Sequence, residues 1–268
     1  MQFTEHVLDK EEVFHDEWAK SVNVDEVMVD EFFEACTSPE NRHIIKLLGD
    51  IRGKKVVELG CGLGEAAVYF AKQGADVVAT DISGGMLRLV EKVAKKHSVK
   101  VAVAQAYSHQ MPFADDTFDI VYAANLLHHV DIEKTMIETK RILKPGGMFV
   151  SWDPLAHNPI INVYRRLAMG VRTEDEHPIK MKQLKLFRKH FSGVSTATFW
   201  FATLVIFLKF YFIDRVDPNK ERYWKKILTD HKNLRKTYGR LERIDHWLLR
   251  VLPFLKRYCW DIVIVATK

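Results

Sequence analysis

A chain of 268 residues, 47% hydrophobic and 28% charged, has the composition of a soluble globular protein and the length for one large domain with insertions, or one domain and a small cap. Disorder is excluded on composition. The net charge of +5 hides an asymmetry: Lys220 to Arg257 holds 12 Lys and Arg against four Asp and Glu, a local +8 that leaves the remainder at −3, so the basic character belongs to one segment able to face phosphates, anionic lipid or only water.

The opening "MQFTEHVLDKEEVFHDEWAK" is acidic and lacks the apolar core of an export signal. Cys36, Cys61 and Cys259 are odd in number and far apart, which suggests neither a disulfide framework nor a zinc site. Both features point to a cytoplasmic, metal-free protein, with peripheral attachment to the inner face of a membrane as the variant that the basic segment adds. Residues 1–50 read as a helical segment, with apolar spacing in "VDEVMVDEFFEAC" and a helix start at Ser38-Pro39-Glu40.

From Lys54 the pattern changes. "KKVVEL", "ADVVAT", "VKVAVA", "FDIVYA" and "GMFVSW" are short Val-rich runs separated by helical stretches such as Met86 to Lys96 and Ile132 to Leu143. This alternation predicts an α/β, Rossmann-like, doubly wound parallel sheet with helices on both faces and a ligand beyond the strands' C-terminal ends. "PFADDTFD" reads as a turn at Asp115-Asp116 anchored by Phe113 and Phe118, with Asp119 opening the fourth strand; "KPGG" reads as a tight turn into the fifth.

Residues 154–180 form a loop or short-helix insertion. A helix at about 180 to 190 and a strand at about 193 to 200 follow. "CWDIVIVATK" is a buried strand. Phe199 to Ile213 is the most apolar stretch, yet its 15 residues fall short of the ~20 needed to span a bilayer, and Lys209 interrupts it. Tyr223, Trp224, Ile227, Leu228, Leu234, Tyr238, Leu241, Ile244, Leu248, Val251 and Leu255 then recur at a 3- or 4-residue spacing, the stripe of an amphipathic helical cap. The expected organisation is a helical segment at 1–50, a core of 51–200 with 259–268, and a helical cap at 201–258.

The glycine-rich stretch "VVELGCGLGEAAVYFA" at 56 to 71 sits between a strand and a helix. A triphosphate loop needs Lys and then Ser or Thr after its last glycine, but Gly64 is followed by Glu65 and Ala66; glycines at 60, 62 and 64 also miss the dinucleotide spacing G-x-G-x-x-G. Charge decides more firmly. A carboxylate about 5 Å from a phosphate repels it by roughly 3 kcal/mol at an effective dielectric of 20, and Glu58 and Glu65 flank the place a pyrophosphate would take. S-adenosylmethionine is phosphate-free and brings a cationic sulfonium and ammonium. Asp81 ends the second strand 21 positions after Gly60, where an acid can accept both ribose hydroxyls. Ile82 on one side and Gln105-Ala106-Tyr107 on the other can cover the adenine.

"VVELGCGLGE", "ATDIS", "MPFADDTFDIVYAANLLHHV" and "RILKPGGMFV", in this order, resemble the successive motifs of class I S-adenosylmethionine-dependent methyltransferases, in the branch similar to quinone C-methyltransferases and many small-molecule methyltransferases. The resemblance covers about residues 50 to 152. It implies a seven-stranded sheet with an antiparallel last strand and S-adenosylmethionine as cofactor, contacted by Glu58, Gly60, Gly62, Asp81, Ile82, Ala106 and Asn125. Cys61, Gly64, Met86, Gln105, Tyr107 and Leu126 complete the candidate set. Gln105 departs from the branch, which commonly has Asp there.

Methyl transfer needs an aligned nucleophile, exclusion of water and, for a hydroxyl or acidic carbon, removal of a proton. His128 and His129 follow the fourth strand and are expected to point in different directions, so that one faces the site. Asp153 ends the fifth strand. His15, with Asp16 beside it, is a further candidate base. Trp18, His157, Asn158, Tyr164 and Arg165 are candidate substrate residues, whereas Glu174 to His177 reads as a solvated loop. The leading function is a methyltransferase for a small or lipid-like acceptor (quinone, isoprenoid or glycolipid), on O, N or C, reached from solution or from an anionic membrane surface. Nucleic-acid methylation is the alternative raised by the basic segment, although "NLLHH" is not the Asn/Asp-Pro-Pro-aromatic motif of base-modifying relatives. A non-catalytic S-adenosylmethionine-binding protein and a nicotinamide dehydrogenase are the others.

Overall fold

The structure is a computed structural model that describes residues 5–167 and 177–268, with side chains of the first helix described from Lys10 onward. Part of the 154–180 insertion, including Glu174 to Glu176, lies outside the described residues. Seven strands form one sheet in the order β3-β2-β1-β4-β5-β7-β6: β1 Lys55–Leu59, β2 Asp76–Asp81, β3 Ala102–Gln105, β4 Phe118–Ala124, β5 Leu143–Pro154, β6 Gly193–Phe199 and β7 Asp261–Thr267. β1 to β5 are parallel, and β7 lies antiparallel between β5 and β6.

The Val-rich runs become strands because both faces of the central ones are covered. Val56, Tyr122, Val150, Trp152, Val263 and Val265 join one apolar cluster, and Val57, Val121, Phe149, Ile262 and Ile264 join another. The first packs beneath helices α2 (Val29–Glu34), α3 (Pro39–Leu48), α4 (Glu65–Lys72) and α5 (Gly84–Lys96); the second beneath α6 (Ile132–Ile142) and α8 (Leu184–His190). Local chemistry sets the helix starts. Ser83 Oγ accepts from Met86 N at 3.0 Å to cap α5, and Asp131 Oδ1 accepts from Lys134 N at 3.1 Å to cap α6.

The chain reverses direction across the sheet between β1 and β4, which opens a crevice at their C-terminal ends. Helix α1 (Glu5–Ser21) lies against α5 beside that crevice. A third apolar cluster joins α7 (Pro159–Leu167), α9 (Val205–Phe212), α10 (Tyr223–Thr229) and α11 (His231–Val251) around Trp200, Phe207 and Tyr223. No helix among the described residues is long and apolar enough to cross a membrane.

Two expectations change in detail. "KPGG" turns within the fifth strand and not before it: β5 already pairs through Leu143 with Phe118, the pairing resumes at Met148 with Ile120, and residues 144–147 between them loop out with Gly146 at φ +74°. The 3- or 4-residue stripe of the cap is not one buried face either. It runs through two helices, and Ile244 and Val251 are 46% and 55% exposed. Asp115, Asp116 and Asp119 serve the fold, meeting Arg141, Lys268 and Lys144 respectively.

Candidate active site

The crevice holds a cavity of about 340 Å³ with two chemically different halves. One is the turn from β1 into α4. Glu58, buried at the strand's end, accepts from Ala67 N at 2.7 Å and so ties the strand to the first turn of the helix. Gly60, Cys61, Gly62 and Glu65 line the same half. Gly62 has φ +49° and open space where a side chain would stand, which leaves room for a ligand against the backbone.

Gly64 has φ +85°, and an added Cβ would lie 2.8 Å from Val90 Cγ2 and 3.3 Å from Val90 Cα. Gly64→Ala combines left-handed strain with overpacking of α4 on α5, so a loss of roughly 2–4 kcal/mol is expected from denaturant unfolding. A variant as stable as the parent would show that the two helices slide apart freely.

Burial, then the carboxylates of Glu65 and Asp81, pushes Glu58 well above the usual carboxylate range. Burial pushes Glu65 up to about 7. Among the described residues no Lys or Arg forms an ion pair with either. Once ionised, these acids favour a cation over a phosphate beside the glycine turn.

The second half is aromatic. Phe14 and Trp18 of α1, Phe32, Trp152, Tyr164, Trp200, Trp224 and Trp260 converge on it from seven elements or loops. Arg222 lies over the Trp18 ring at 4.7 Å. Burial lowers its guanidinium from the ordinary value, and Arg165 also lines the wall. Glu40, pushed up to about 7 by burial, accepts from Trp200 Nε1 at 3.1 Å, and Asp261 is driven well above its ordinary value by burial and by Glu40. A chain of bonds runs from Trp152 Nε1 to Tyr122 Oη (3.0 Å) and from that hydroxyl to Asn41 Oδ1 (3.2 Å).

The histidines line the same cavity. Asn125, at φ 51° where Asn is tolerated, donates its N–H to Trp152 O at 2.9 Å and turns the chain into a single 3-10 turn, Leu127–His129. Both His128 and His129 line the cavity, where one was expected to face the site; their ring centroids are 4.1 Å apart and the ring planes are tilted by 43°. His128 Nδ1 lies 2.9 Å from Asp153 Oδ1, which also receives the His128 backbone N–H at 3.3 Å. Asp153 is fully buried, and burial raises its carboxyl well above the ordinary value. It therefore orients His128 from behind and is not itself an accessible base. From α1, Glu11 approaches His15 Nε2 at 3.4 Å and His129 Nδ1 at 3.7 Å.

The remaining expected residues divide. His15, Trp18, Tyr164 and Arg165 line the cavity. Asp81, Ile82, Gln105 and Ala106 sit at the tips of β2 and β3, outside the lining and beneath α1. Asp81 is 6% exposed and accepts from Gly62 N at 3.0 Å and Ser83 N at 2.9 Å. Asp16 accepts from Ser83 Oγ at 2.5 Å and Gly85 N at 2.8 Å, while Gln105 Nε2 donates to Ile82 O and Glu12. Leu126 covers Gly60. Met86 is fully buried in the α5 core and reaches no ligand space. Tyr107 is 37% exposed and turned onto His109.

His157 lies outside the cavity lining. Asn158 is structural: it accepts from Ile161 N at 3.0 Å to cap α7 and donates to Tyr258 O at 2.5 Å. Sequence reasoning missed Glu11, Glu40, Asn41, Arg222 and Asp261. Only Asp261 carried a signal, an acid at the head of an otherwise apolar strand.

Residues 57–151 match the family described as methyltransferase domain. The chain is 34% identical over 122 residues to demethylmenaquinone methyltransferase of Thermobifida fusca, a match covering 45% of this chain and 51% of that protein. It is 30% identical over 136 residues to a sterol 24-C-methyltransferase of Gibberella zeae, covering 49% and 36%. Among solved structures, phosphoethanolamine N-methyltransferase 2 of Haemonchus contortus in complex with S-adenosyl-L-methionine shares the fold with a TM-score of 0.57 at 18% identity, over 90% of this chain and 60% of that one. The chain spans about half the length of the curated relatives it matches.

Proposed function

From the premise that residues 57–151 form a methyltransferase domain within a class I, Rossmann-like fold, we propose that the chain transfers a methyl group from S-adenosylmethionine to a small or lipid-like acceptor. The observation that carries this reading is the pair of cavity acids, Glu58 and Glu65, beside a glycine turn, neither of them ion-paired with a Lys or Arg among the described residues. When bound, the donor supplies a carbon already activated by positive sulfur. The chain then has to hold it, align an acceptor, exclude water and take up a proton.

Glu58 and Glu65 attract the cationic methionine end, and the Gly62 backbone leaves space beside it. Asp81, bonded to Gly62 N and Ser83 N beside the bonds that Asp16 of α1 makes to Ser83 and Gly85, is the acid we assign to the ribose hydroxyls. The aromatic half suits an apolar acceptor, and the names of the quinone and sterol relatives agree with that class. His128, held through Nδ1 by Asp153 and lining the cavity, is the group we assign to receive a proton from an acceptor hydroxyl or acidic carbon.

Calorimetric titration with S-adenosylmethionine, NADH and ATP tests the donor, and a radiolabelled donor incubated with an organic-solvent extract of cells tests the acceptor class. Binding of the sulfonium alone, with label entering the extract, is the expected result. Preference for NADH or ATP overturns the reading.

A pH dependence follows. Glu65 titrates at about 7 in the free protein, so below that value it has to lose a proton to hold a cation. Affinity for the donor is expected to rise with pH by up to about tenfold per unit below 7 as Glu65 ionises, with any further rise above 7 coming from Glu58, which burial also holds above its ordinary value. Titrations from about pH 6 to about pH 8 check this, and a flat profile removes Glu65 from the donor site.

A further inference from the structure

Helix α11 carries two apolar faces. The inner one, with Leu234, Tyr238 and Leu249, is buried in the fold. The outer one places Ile244 (46% exposed), Trp247 (63%) and Val251 (55%) on successive turns, and Leu252 and Phe254 (63%) extend it beyond the helix end. Helical spacing sets Arg240, Arg243 and Arg250 along the same stripe. Arg240, Arg243, Ile244 and Trp247 together line a shallow surface depression.

The helix's own acids are withdrawn from that stripe. Glu242 meets Arg42 at 2.5 Å, and buried Asp245 accepts from the backbone N–H groups of Phe201, Ala202 and Thr203 and from Thr203 Oγ1. Every exposed charged residue of α11 is therefore Lys or Arg. Among the described residues no carboxylate forms an ion pair with Arg240, Arg243 or Arg250.

We propose that this outer stripe of α11, with Phe254 beyond it, seats the protein on an anionic lipid surface. Arginines flanking Trp, Ile and Val suit the headgroup boundary of a bilayer, where cations meet lipid phosphates and the apolar side chains enter the acyl edge. Charge complementarity selects this occupant. A second copy laid face to face would oppose like charges, and a nucleic acid would have no use for Ile, Val and Leu between the cations. The proposal is independent of the donor reading, because it concerns a surface outside the cavity.

Co-sedimentation of the full chain with phosphatidylcholine vesicles, with and without phosphatidylglycerol, tests it. The chain is expected to pellet with the anionic vesicles only, and raising salt from about 0.1 M to about 1 M, which shortens the Debye length from about 10 Å to about 3 Å, should release it. Trp247→Ser with Val251→Ser should weaken vesicle binding at least about tenfold while leaving the thermal midpoint within a few degrees. Arg240→Glu with Arg243→Glu should remove the preference for anionic lipid. Failure to pellet, equal binding to neutral vesicles, or vesicle binding that ignores both pairs of substitutions overturns the proposal, as does salt-sensitive binding to duplex RNA or DNA, or a concentration-dependent dimer, in place of vesicle binding.

Discussion

Glu58→Gln is expected to weaken S-adenosylmethionine binding by up to about two orders of magnitude without unfolding the protein. An ionised carboxylate near 5 Å from a unit positive charge contributes roughly 3 kcal/mol at an effective dielectric of 20, less the cost of ionising a buried carboxyl, so two orders of magnitude is the upper end of what the amide removes while keeping the shape. The amide oxygen can still accept from Ala67 N, so the join between β1 and α4 survives. Stability should move in the opposite direction from binding. Burial raises the Glu58 carboxyl in the folded chain well above its ordinary value of 4.5. The folded state therefore holds this proton more tightly than the unfolded one, and stability falls as pH rises from the unfolded value toward the folded one. Glutamine avoids that loss, so at neutral pH the ligand-free variant should melt at or above the parent's temperature. Calorimetry and thermal melts at neutral pH check both halves, and unchanged donor affinity would remove Glu58 from the site.

Asp153→Asn is expected to lower the rate of methyl transfer about a hundredfold with little change in the donor's KM. The buried carboxylate 2.9 Å from His128 Nδ1 fixes the ring and its tautomer, whereas an amide can present its NH2 group to that nitrogen and reverse the arrangement. His128→Ala should lose as much, and the double variant little more than either single one, since the two act as one unit. His129→Ala, whose ring meets Glu11 of α1 at 3.7 Å, should cost less. Initial rates of label transfer decide the matter. Full activity in Asp153→Asn would mean that the pair only braces the turn after β4.

The sheet and the glycine turn were legible in the sequence because their signals are local. Buried parallel strands appear as unbroken Val-rich runs, and the turn between β1 and α4 needs residues that tolerate left-handed backbone. The cavity's aromatic half was not legible. Phe32, Trp152, Trp200 and Trp260 line one cavity only because β5 and β6 end where antiparallel β7 begins, with the Phe32 ring of α2 6.1 Å from that of Trp152. Glu40 looked like an ordinary acid in the first turn of a helix, which it also is. Polarity alone misled at Asn158, whose side chain is spent on capping α7. In α11 the 3- or 4-residue spacing merged two apolar faces into one, because periodicity records how often an apolar residue recurs and not which neighbour covers it.

The clasp of α1 on the tips of β2 and β3 bears on the kinetics of loading. Asp16 holds Ser83 and Gly85, Glu12 holds Gln105, and Asp81 beneath them is nearly sealed. If Asp81 takes the donor's ribose, as proposed, those bonds have to open first, and capture is then expected in two steps, with an observed rate that levels off at high ligand concentration at the opening rate of the clasp. The same bonds, remade over a nucleoside held there, would lengthen its residence, so that on this reading one helix governs both arrival and departure.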